Sequence, residues 1–461
     1  MRAFVGRKKE LNQLNRQYLS SDFHFTVIYG RRRIGKTELI RQFMKDKKVI
    51  YFMAMESSGE MNLEHLSKIV LADADPKFRS TTFDSYEALF DYVAEAARNE
   101  RLVFVIDEFP YLAQTFPEIS SIIQKYCDHI WKDTMLQLIL CGSSMSFMEN
   151  QVLGMKSPLY GRRTAQIKLK AFNFFETEEL LNPMKKEDIA VLHCATGGIA
   201  EYLSHIDPSK DLEENLIALF FEDTGRLYEE PANFLKQELR EPRVYNSILD
   251  VIASGARKNN EIATKVNKTT GAINNYLDNL IELDILVKEK PVGERTSKKT
   301  IYRIKDGTFR FWYRYVFPNM SAIEIGLGKR LYKELVKDDL SNFMGEGFEE
   351  IFFDYFDAMN RDGLLPSMIT SRGRWWRNNP ALKREEEIDL LGYGADLMVL
   401  CEVKWTRKKV DIGVLHGLME KSRLFPLEKY FILFSKNGFT RKVMDEAEGN
   451  KKIRLISFLT E

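Results

Sequence analysis

The sequence has no surplus of either charge. Its 68 Lys and Arg residues stand against 67 Asp and Glu, for a formal net charge of +1. A uniformly basic coat for nucleic acid is excluded, so any such site must be a local patch. Cysteine is scarce. Cys127, Cys141, Cys194 and Cys401 are widely scattered, and no pair has metal-ligand spacing. Reduced thiols in a cytosolic protein are expected, rather than a disulfide framework. No apolar run approaches the ~18 residues that a membrane span needs, and the opening MRAFVGRKKEL lacks the apolar stretch of a signal peptide. Cytoplasmic residence without a membrane partner is the expectation. Internal repeats and low-complexity tracts are also lacking.

What is present is ample apolar material. The chain has 461 residues, 44% hydrophobic and 29% charged, the make-up of a soluble globular protein with several cores. Length alone suggests roughly three domains. In the first part, short apolar runs at 25–29, 49–52, 102–106 and 136–140 alternate with helical stretches. Near-continuous apolar strands separated by helices predict a parallel sheet covered on both faces. The stretch 173–240 reads as mostly helical, a lid or bundle packed on that sheet. Helices at 245–253, 260–266 and 271–283 follow, the last with Ile273, Tyr276, Leu277, Leu280 and Ile281 on one face. Two short strands, 285–288 and 300–304, flank a polar loop. Three helices and a hairpin make a winged-helix pattern. The aromatic segment 309–315 is expected to pack against it, and a second α/β unit runs from about residue 340 onward.

The first motif is Gly30-Arg31-Arg32-Arg33-Ile34-Gly35-Lys36-Thr37, followed by Glu38. It matches the Walker A pattern without a mismatch and lies between a strand and a helix, the context that confirms it. Glycines let backbone N–H groups face phosphates at a helix N-terminus. Lys36 is expected to reach the β and γ phosphates of ATP, and the Thr37 hydroxyl to hold Mg²⁺. The strand 102–106 ends in Asp107-Glu108, a Walker B pattern. Asp107 is the expected Mg²⁺ partner, and Glu108 the base that orients and deprotonates water. Ser143, after the strand that ends near Gly142, is placed to sense the γ-phosphate, although Gly-Ser-Ser is also ordinary turn chemistry. Arg162 and Arg163 stand as transition-state arginines or as surface ion pairs.

Downstream, 387–391 and 399–405 read as adjacent strands. Strand parity puts Glu402 and Lys404 on one face, with Asp389 meeting them from the neighbour. Two carboxylates on a divalent metal with a lysine beside them can activate water against a phosphodiester. Glu349, on a helix at 347–352, is a further candidate ligand, although only one of Glu349 and Glu350 can face the sheet. A solvated edge strand is the competing reading. Arg372, Arg374 and Arg377 interleave with Trp375 and Trp376, either to hold phosphates and stack bases or as a buried aromatic corner. The third helix of the winged-helix pattern carries Asp278, Glu282 and Asp284. Lys288, Lys290, Arg295, Lys298, Lys299 and Arg303 of the wing are therefore the better phosphate contacts.

Taken in order, these motifs resemble the archaeal-type ATPase family, which also occurs in bacteria and is similar to AAA+ and STAND NTPases. Phe4 to Leu11 is similar to the segment that borders the adenine in such proteins. The Gly142-Ser143-Ser144, Gly161-Arg162-Arg163, Thr196-Gly197-Gly198 and Gly373-Arg374-Trp375-Trp376 stretches carry the rest of the resemblance. Ala200 departs from it, where the family's proline is expected. The resemblance implies an α/β multidomain protein: a RecA-like P-loop core (1–172), a helical lid (173–240), a winged helix with connector (241–335) and a PD-(D/E)xK nuclease-like, restriction-endonuclease-like domain (336–461). ATP and Mg²⁺ are the implied cofactors, with a second divalent ion, Mg²⁺ or Mn²⁺, in the C-terminal domain. DNA is the implied partner of the wing and C-terminal domain, alongside a protein partner or self-association. The leading functional expectation is an ATPase coupled to a metal-dependent DNA nuclease. The alternative is an ATP-driven signalling switch whose C-terminal parts are binding modules only.

Overall fold

The computed structural model describes residues 4–74, 81–294, 299–379 and 383–460. The chain falls into two compact units, Met1–Ala171 and Phe172–Glu461.

The first unit runs α1 (Lys8–Tyr18), β1 (His24–Tyr29), α2 (Lys36–Met44), β2 (Val49–Met53), α3 (Gly59–Ala74), α4 (Tyr86–Ala96), β3 (Leu102–Asp107), α5 (Phe109–Thr115), α6 (Ile119–His129), β4 (Leu136–Gly142), a single turn α7 (Met145–Phe147) and β5 (Ala165–Lys168). The strands lie in the order β2-β3-β4-β1-β5, and every pairing is parallel. β3 and β4 are buried along their whole length. That is why their sequences are continuous apolar runs rather than alternating ones. Phe25, Val27, Phe104, Leu138 and Trp131 sit in one core cluster with residues of α4 and α6. α4 starts where the Ser85 side chain accepts from the Ala88 N–H, a helix cap. The strand order matters for the site, because β4 lies between β1 and β3. Whatever follows β4 therefore comes between the loop after β1 and the acidic pair after β3.

The second unit opens with five helices: α8 (Phe174–Leu181), α9 (Lys186–Thr196), α10 (Ala200–Ser204), α11 (Leu212–Phe220) and α12 (Glu230–Glu238). Asn173 and Glu176 form a reciprocal capping box at the start of α8, and Asp211 and Glu214 do the same for α11. Next come α13 (Pro242–Ala253), α14 (Asn259–Lys265) and α15 (Thr270–Glu282). Ile273, Leu277 and Leu280 are the buried stripe of α15, while Tyr276 and Ile281 are only half-buried. β6 (Leu286–Glu289) and β7 (Ile301–Ile304) pair antiparallel. The aromatic segment lies in α16 (Gly307–Phe311) and the π-turn 312–316, where Phe311, Trp312, Tyr313 and Tyr315 are buried. Short helices α17 (Met320–Glu324) and α18 (Gly328–Leu331) lead to the long α19 (Leu340–Arg361).

The last sheet contains β8 (Ser371–Asn379), β9 (Arg384–Tyr393), β10 (Leu397–Lys404), β11 (Glu428–Ser435) and β12 (Ile453–Ser457), with α20 (Ile412–Ser422) and α21 (Arg441–Gly449) between strands. Its order is β12-β11-β10-β9-β8. β9 pairs antiparallel with both β8 and β10, while β10, β11 and β12 pair parallel in turn. Two expectations change here. Trp375 and Trp376 are both 6% exposed, so the buried corner wins over a base-stacking surface. Arg372 is paired with Asp357, and Arg374 with Glu349 and Glu289.

Candidate functional site

The site in the first unit grows from the turn that ends β1. Loop 30–35 contains three residues with positive φ, Gly30 (152°), Arg33 (70°) and Gly35 (93°). A Cβ at Gly30 would come 2.4 Å from the Leu169 carbonyl oxygen, so only glycine lets the loop close there. Lys36 begins α2 and curls back over the loop. Its Nζ donates to the carbonyl oxygens of Gly30 at 2.8 Å and Arg31 at 2.9 Å. Burial lowers its pKa from the ordinary value. Arg31 and Ile34 are buried, Arg33 is half-buried and Glu38 is exposed. Arg32 donates to the Tyr111 hydroxyl at 3.2 Å. Arg7 reaches the Ile34 and Lys170 carbonyls and pins the chain beside the loop.

Asp107 ends β3 and is 1% exposed. Its Oδ2 accepts from Thr37 Oγ1 at 3.1 Å and from the Tyr51 hydroxyl at 2.9 Å, and its Oδ1 accepts from the Glu108 N–H at 2.9 Å. Glu108 has a left-handed backbone, φ 50°. Ser143, just past β4, lies between the two motifs as the strand order requires. Its Oγ is 2.6 and 2.7 Å from the two Glu108 carboxylate oxygens, and its N–H donates to Oε2 at 3.3 Å. The fold thus brings Lys36, Thr37, Asp107, Glu108 and Ser143 to one end of the sheet. The loop offers amides and an ammonium to an anion, and Thr37 with Asp107 offers two oxygens to a hard cation.

Arg162 adopts the ion-pair alternative in this structure. Its guanidinium is held by Asp128 through Nε at 2.9 Å and Nη2 at 2.8 Å, and Nη1 donates to the Pro158 and Tyr160 carbonyls. Four of its five guanidinium N–H donors are engaged in this way. Arg163 is half-buried. Tyr51 is the residue that sequence reasoning missed. It stands in β2 opposite Val105, two positions before Asp107 on the same face of β3. Only the pairing of β2 with β3 makes that visible.

In the second unit, Cys401 pairs with Leu390 across β10 and β9. One further step sets Glu402 beside Asp389. Lys404 Nζ lies 2.6 Å from Glu402 and 3.7 Å from Asp389. Asp389 accepts from the Val403 N–H at 2.7 Å. Burial and then Glu402 raise the Asp389 pKa. Burial works against the charge of Lys404, but Asp389 and Glu402 outweigh it and raise its pKa. Lys421, from α20, holds the other Glu402 oxygen at 3.2 Å. No sequence signal had marked it.

The expected metal set is not assembled as a group. Glu349 turns to Arg374 at 2.7 Å. Burial, with Asp389 adding to it and Arg374 opposing, moves the Glu349 pKa up to about 7. Among the described residues, no group of three or more His, Cys, Asp or Glu is arranged to hold a metal ion. The wing also differs from expectation. Arg303 is buried and bound by Glu289, Glu346 and Glu350, which removes it as a surface phosphate contact. Lys299 pairs with Glu294. Lys288 and Lys290 are exposed, and Arg295 and Lys298 lie outside the described residues.

A parallel sheet with a glycine loop after one strand and an acidic pair after another defines a P-loop ATPase core. Comparison with known proteins agrees. Residues 4–206 match the family described as "ATPase domain predominantly from Archaea", and residues 312–414 match "Archaea bacterial proteins of unknown function". The uncharacterized protein MJECL04 of Methanocaldococcus jannaschii is 34% identical over 443 residues, 94% of this chain and 95% of that protein. The uncharacterized ATP-binding protein MJ0423 of the same organism is 46% identical over 46 residues, 10% of this chain and 78% of that protein. Among solved structures, the Walker-type ATPase PABY2304 of Pyrococcus abyssi aligns with a TM-score of 0.52 at 20% identity, covering 68% of this chain and 96% of that one. That likeness concerns the fold. The chain belongs to the family of archaeal-type ATPases that includes MJECL04. No helix among the described residues is long and apolar enough to cross a membrane.

Proposed function

We propose that this protein binds ATP with Mg²⁺ through loop 30–37 and hydrolyses it with Glu108 as the base. The observation that carries the reading is the 3.1 Å contact of Thr37 Oγ1 with Asp107. It joins the phosphate loop to the acidic strand end at the place where a P-loop protein needs its cation. Both groups are oxygen donors suited to Mg²⁺, which neutralises phosphate charge when bound. The amides of the loop and the start of α2 bind the phosphates. Lys36 leaves the Gly30 and Arg31 carbonyls to meet the β and γ phosphates. Glu108 accepts the water's proton once its carboxylate turns from Ser143, and Ser143 is then free to face the γ-phosphate. Calorimetry of Lys36→Ala tests the assignment. ATP affinity is expected to fall at least about tenfold, because a charge-assisted contact is lost. Unchanged affinity sinks it.

A second reading concerns the C-terminal sheet. Asp389, Glu402 and Lys404 on neighbouring strands support a nuclease-like domain over 336–461, with Asp389 and Glu402 as the two carboxylates for a divalent ion and Lys404 beside the attacking water. α13, α14, α15 and the β6–β7 hairpin support a winged helix over 241–335, after a helical lid at 173–240 and the core at 1–172. DNA is then the substrate, met through Lys288 and Lys290. Nicking of DNA that requires Mg²⁺ or Mn²⁺ and disappears in Lys404→Ala is the expected result. DNA left intact by the wild-type chain with either metal would falsify this reading. The C-terminal parts would then be binding modules on an ATP-driven switch.

A further inference from the structure

Directly after Lys404 the chain runs into a basic loop that neither reading above uses. Arg407, Lys408 and Lys409 follow one another, and all three are exposed. None of their side chains has an ion-pair or hydrogen-bond partner among the described residues. The cations nearer the carboxylates are matched, Lys404 and Lys421 by Glu402 and Arg374 by Glu289 and Glu349. The loop is also held in place at both ends. Trp405 is 9% exposed. Its ring meets Phe348 edge-to-face at 4.8 Å, and Lys436 Nζ lies 4.6 Å from its centre. Asn437 Nδ2 donates to the Thr406 carbonyl at 2.8 Å, and the Thr406 hydroxyl donates to the Lys408 carbonyl at 2.7 Å. At the far end the buried Val410 donates to the Gly438 carbonyl and accepts from the Thr440 N–H, each at 3.0 Å. Three free cations are thus carried on a fixed backbone.

A short charge run on a surface is commonly no more than solvated. Two observations separate this one. First, the loop starts where β10 ends. Arg407 is at most about 11 Å along the chain from Lys404, whose Nζ lies 2.6 Å from Glu402. Second, the charge around the carboxylate pair is lopsided. Glu385 and Glu387 share the face of Asp389 by strand parity. Both are exposed, and neither side chain has a partner among the described residues. A polyanion approaching the pair is therefore repelled from β9 and drawn to the loop after β10. The fixed backbone keeps the ordering cost of binding low. Lysine and arginine on phosphates give affinity without base readout. A lipid surface fits less well. Interfacial binding inserts apolar side chains beside basic ones, and the apolar residues of this loop, Trp405 and Val410, are buried.

We propose that loop 405–409 is a nucleic-acid interface, on which Arg407, Lys408 and Lys409 hold the sugar–phosphate backbone of DNA beside the Asp389–Glu402 pair. The choice of DNA rests on the nuclease-like reading of this sheet, and the test separates the two. Labelled duplex DNA is titrated with the full chain by fluorescence anisotropy across a salt series, with EDTA present so that no cleavage intervenes. Replacing all three residues, Arg407→Gln with Lys408→Gln and Lys409→Gln, is expected to weaken binding about tenfold or more. The slope of log affinity against log salt is expected to become shallower by about 2–3, since each phosphate contact contributes about 0.9. Duplexes of unrelated sequence are expected to bind alike. An unchanged thermal midpoint shows that the variant is folded. Should it not fold, Lys409→Gln alone carries the test, with a slope change of about 1. Equal affinity and equal slope in variant and parent overturn the proposal, including when the parent nicks DNA with Mn²⁺. Loop-dependent binding without nicking upholds it and removes the nuclease reading alone. Absence of DNA binding by the parent overturns it, and so does loop-dependent capture by anionic phospholipid vesicles in place of DNA.

Discussion

The loop end of the first sheet and the Asp389–Glu402 cluster of the last one use the same materials, carboxylates on strands with a lysine close by. Their partners differ. Asp107 takes its hydrogen bonds from the hydroxyls of Thr37 and Tyr51 and from an amide, and Ser143 faces Glu108. Lys36 meanwhile rests on carbonyl oxygens. Glu402 is held by two ammonium groups, Lys404 and Lys421, and Glu349 by a guanidinium. Neutral donors orient a carboxylate without cancelling its charge, so a divalent cation still meets a full negative charge. Cationic partners have already compensated it, and a metal must displace or outcompete them. The same residue types thus give carboxylates hydrogen-bonded by neutral groups in one unit and a largely self-neutralised cluster in the other.

The strongest way to break that comparison is Glu108→Gln. The amide cannot take the water's proton, so turnover is expected to fall about 10²–10⁴-fold while Mg–ATP stays bound. Steady-state rates beside nucleotide calorimetry check it, and wild-type turnover would remove Glu108 from the role of base. Next comes Lys421→Met. If ion pairing keeps cations off the C-terminal cluster, releasing one Glu402 oxygen strengthens Mn²⁺ binding there by roughly tenfold, about 1.4 kcal/mol. Equal Mn²⁺ affinity in the variant and the parent, both on a Lys36→Ala background, would show that Lys421 is not what opposes the ion.

A smaller effect is expected from Tyr51→Phe. Asp107 loses one of its hydroxyl donors, worth about 1 kcal/mol. The Mg²⁺ concentration for half-maximal turnover is expected to shift several-fold, with kcat at saturating Mg²⁺ nearly unchanged. A fall in kcat alone would place Tyr51 outside cation positioning. The last test is pH. Glu349 has its pKa pushed from 4.5 to about 7, chiefly by burial. Between those values the folded state binds more protons than the unfolded one. Stability from this group is therefore present at low pH and declines as pH rises through about 7, by no more than about 1.4 kcal/mol per pH unit. Glu349→Gln removes the titration, and its thermal midpoint is expected to fall less than the parent's between pH 5 and 7. Parallel pH profiles would count against this account of the cluster.

Legibility followed the same division. The nucleotide motif is contiguous. Gly30, Gly35, Lys36 and Thr37 sit within one turn, and the apolar runs around them announce the strand and helix that frame it. Asp107 and Glu108 are equally local. Arg162 was ambiguous because its partner, Asp128, is distant in sequence, and ion pairing between remote residues leaves no local pattern. The wing is a sharper case. Its lysines and arginines read as a basic strip, yet Arg303 turns inward to Glu289, Glu346 and Glu350, because strand parity permits either face and only packing chooses. Trp375 and Trp376 were equally open between stacking platform and core until the sheet covered them.

By itself, then, the sequence determined the periodicities, the apolar strands of the first sheet and the loop whose glycines admit the backbone angles that phosphate binding needs. These are consequences of neighbouring residues, and local sterics and hydrogen bonding suffice to set them. Tertiary structure alone decided which charges cancel. It placed β4 between β1 and β3, so that Ser143 meets Glu108. It brought Tyr51 to Asp107, Lys421 to Glu402 and Arg374 to Glu349. Coulomb and hydrogen-bond energies depend on distances of a few ångströms and on burial, and both quantities exist only once the chain has folded.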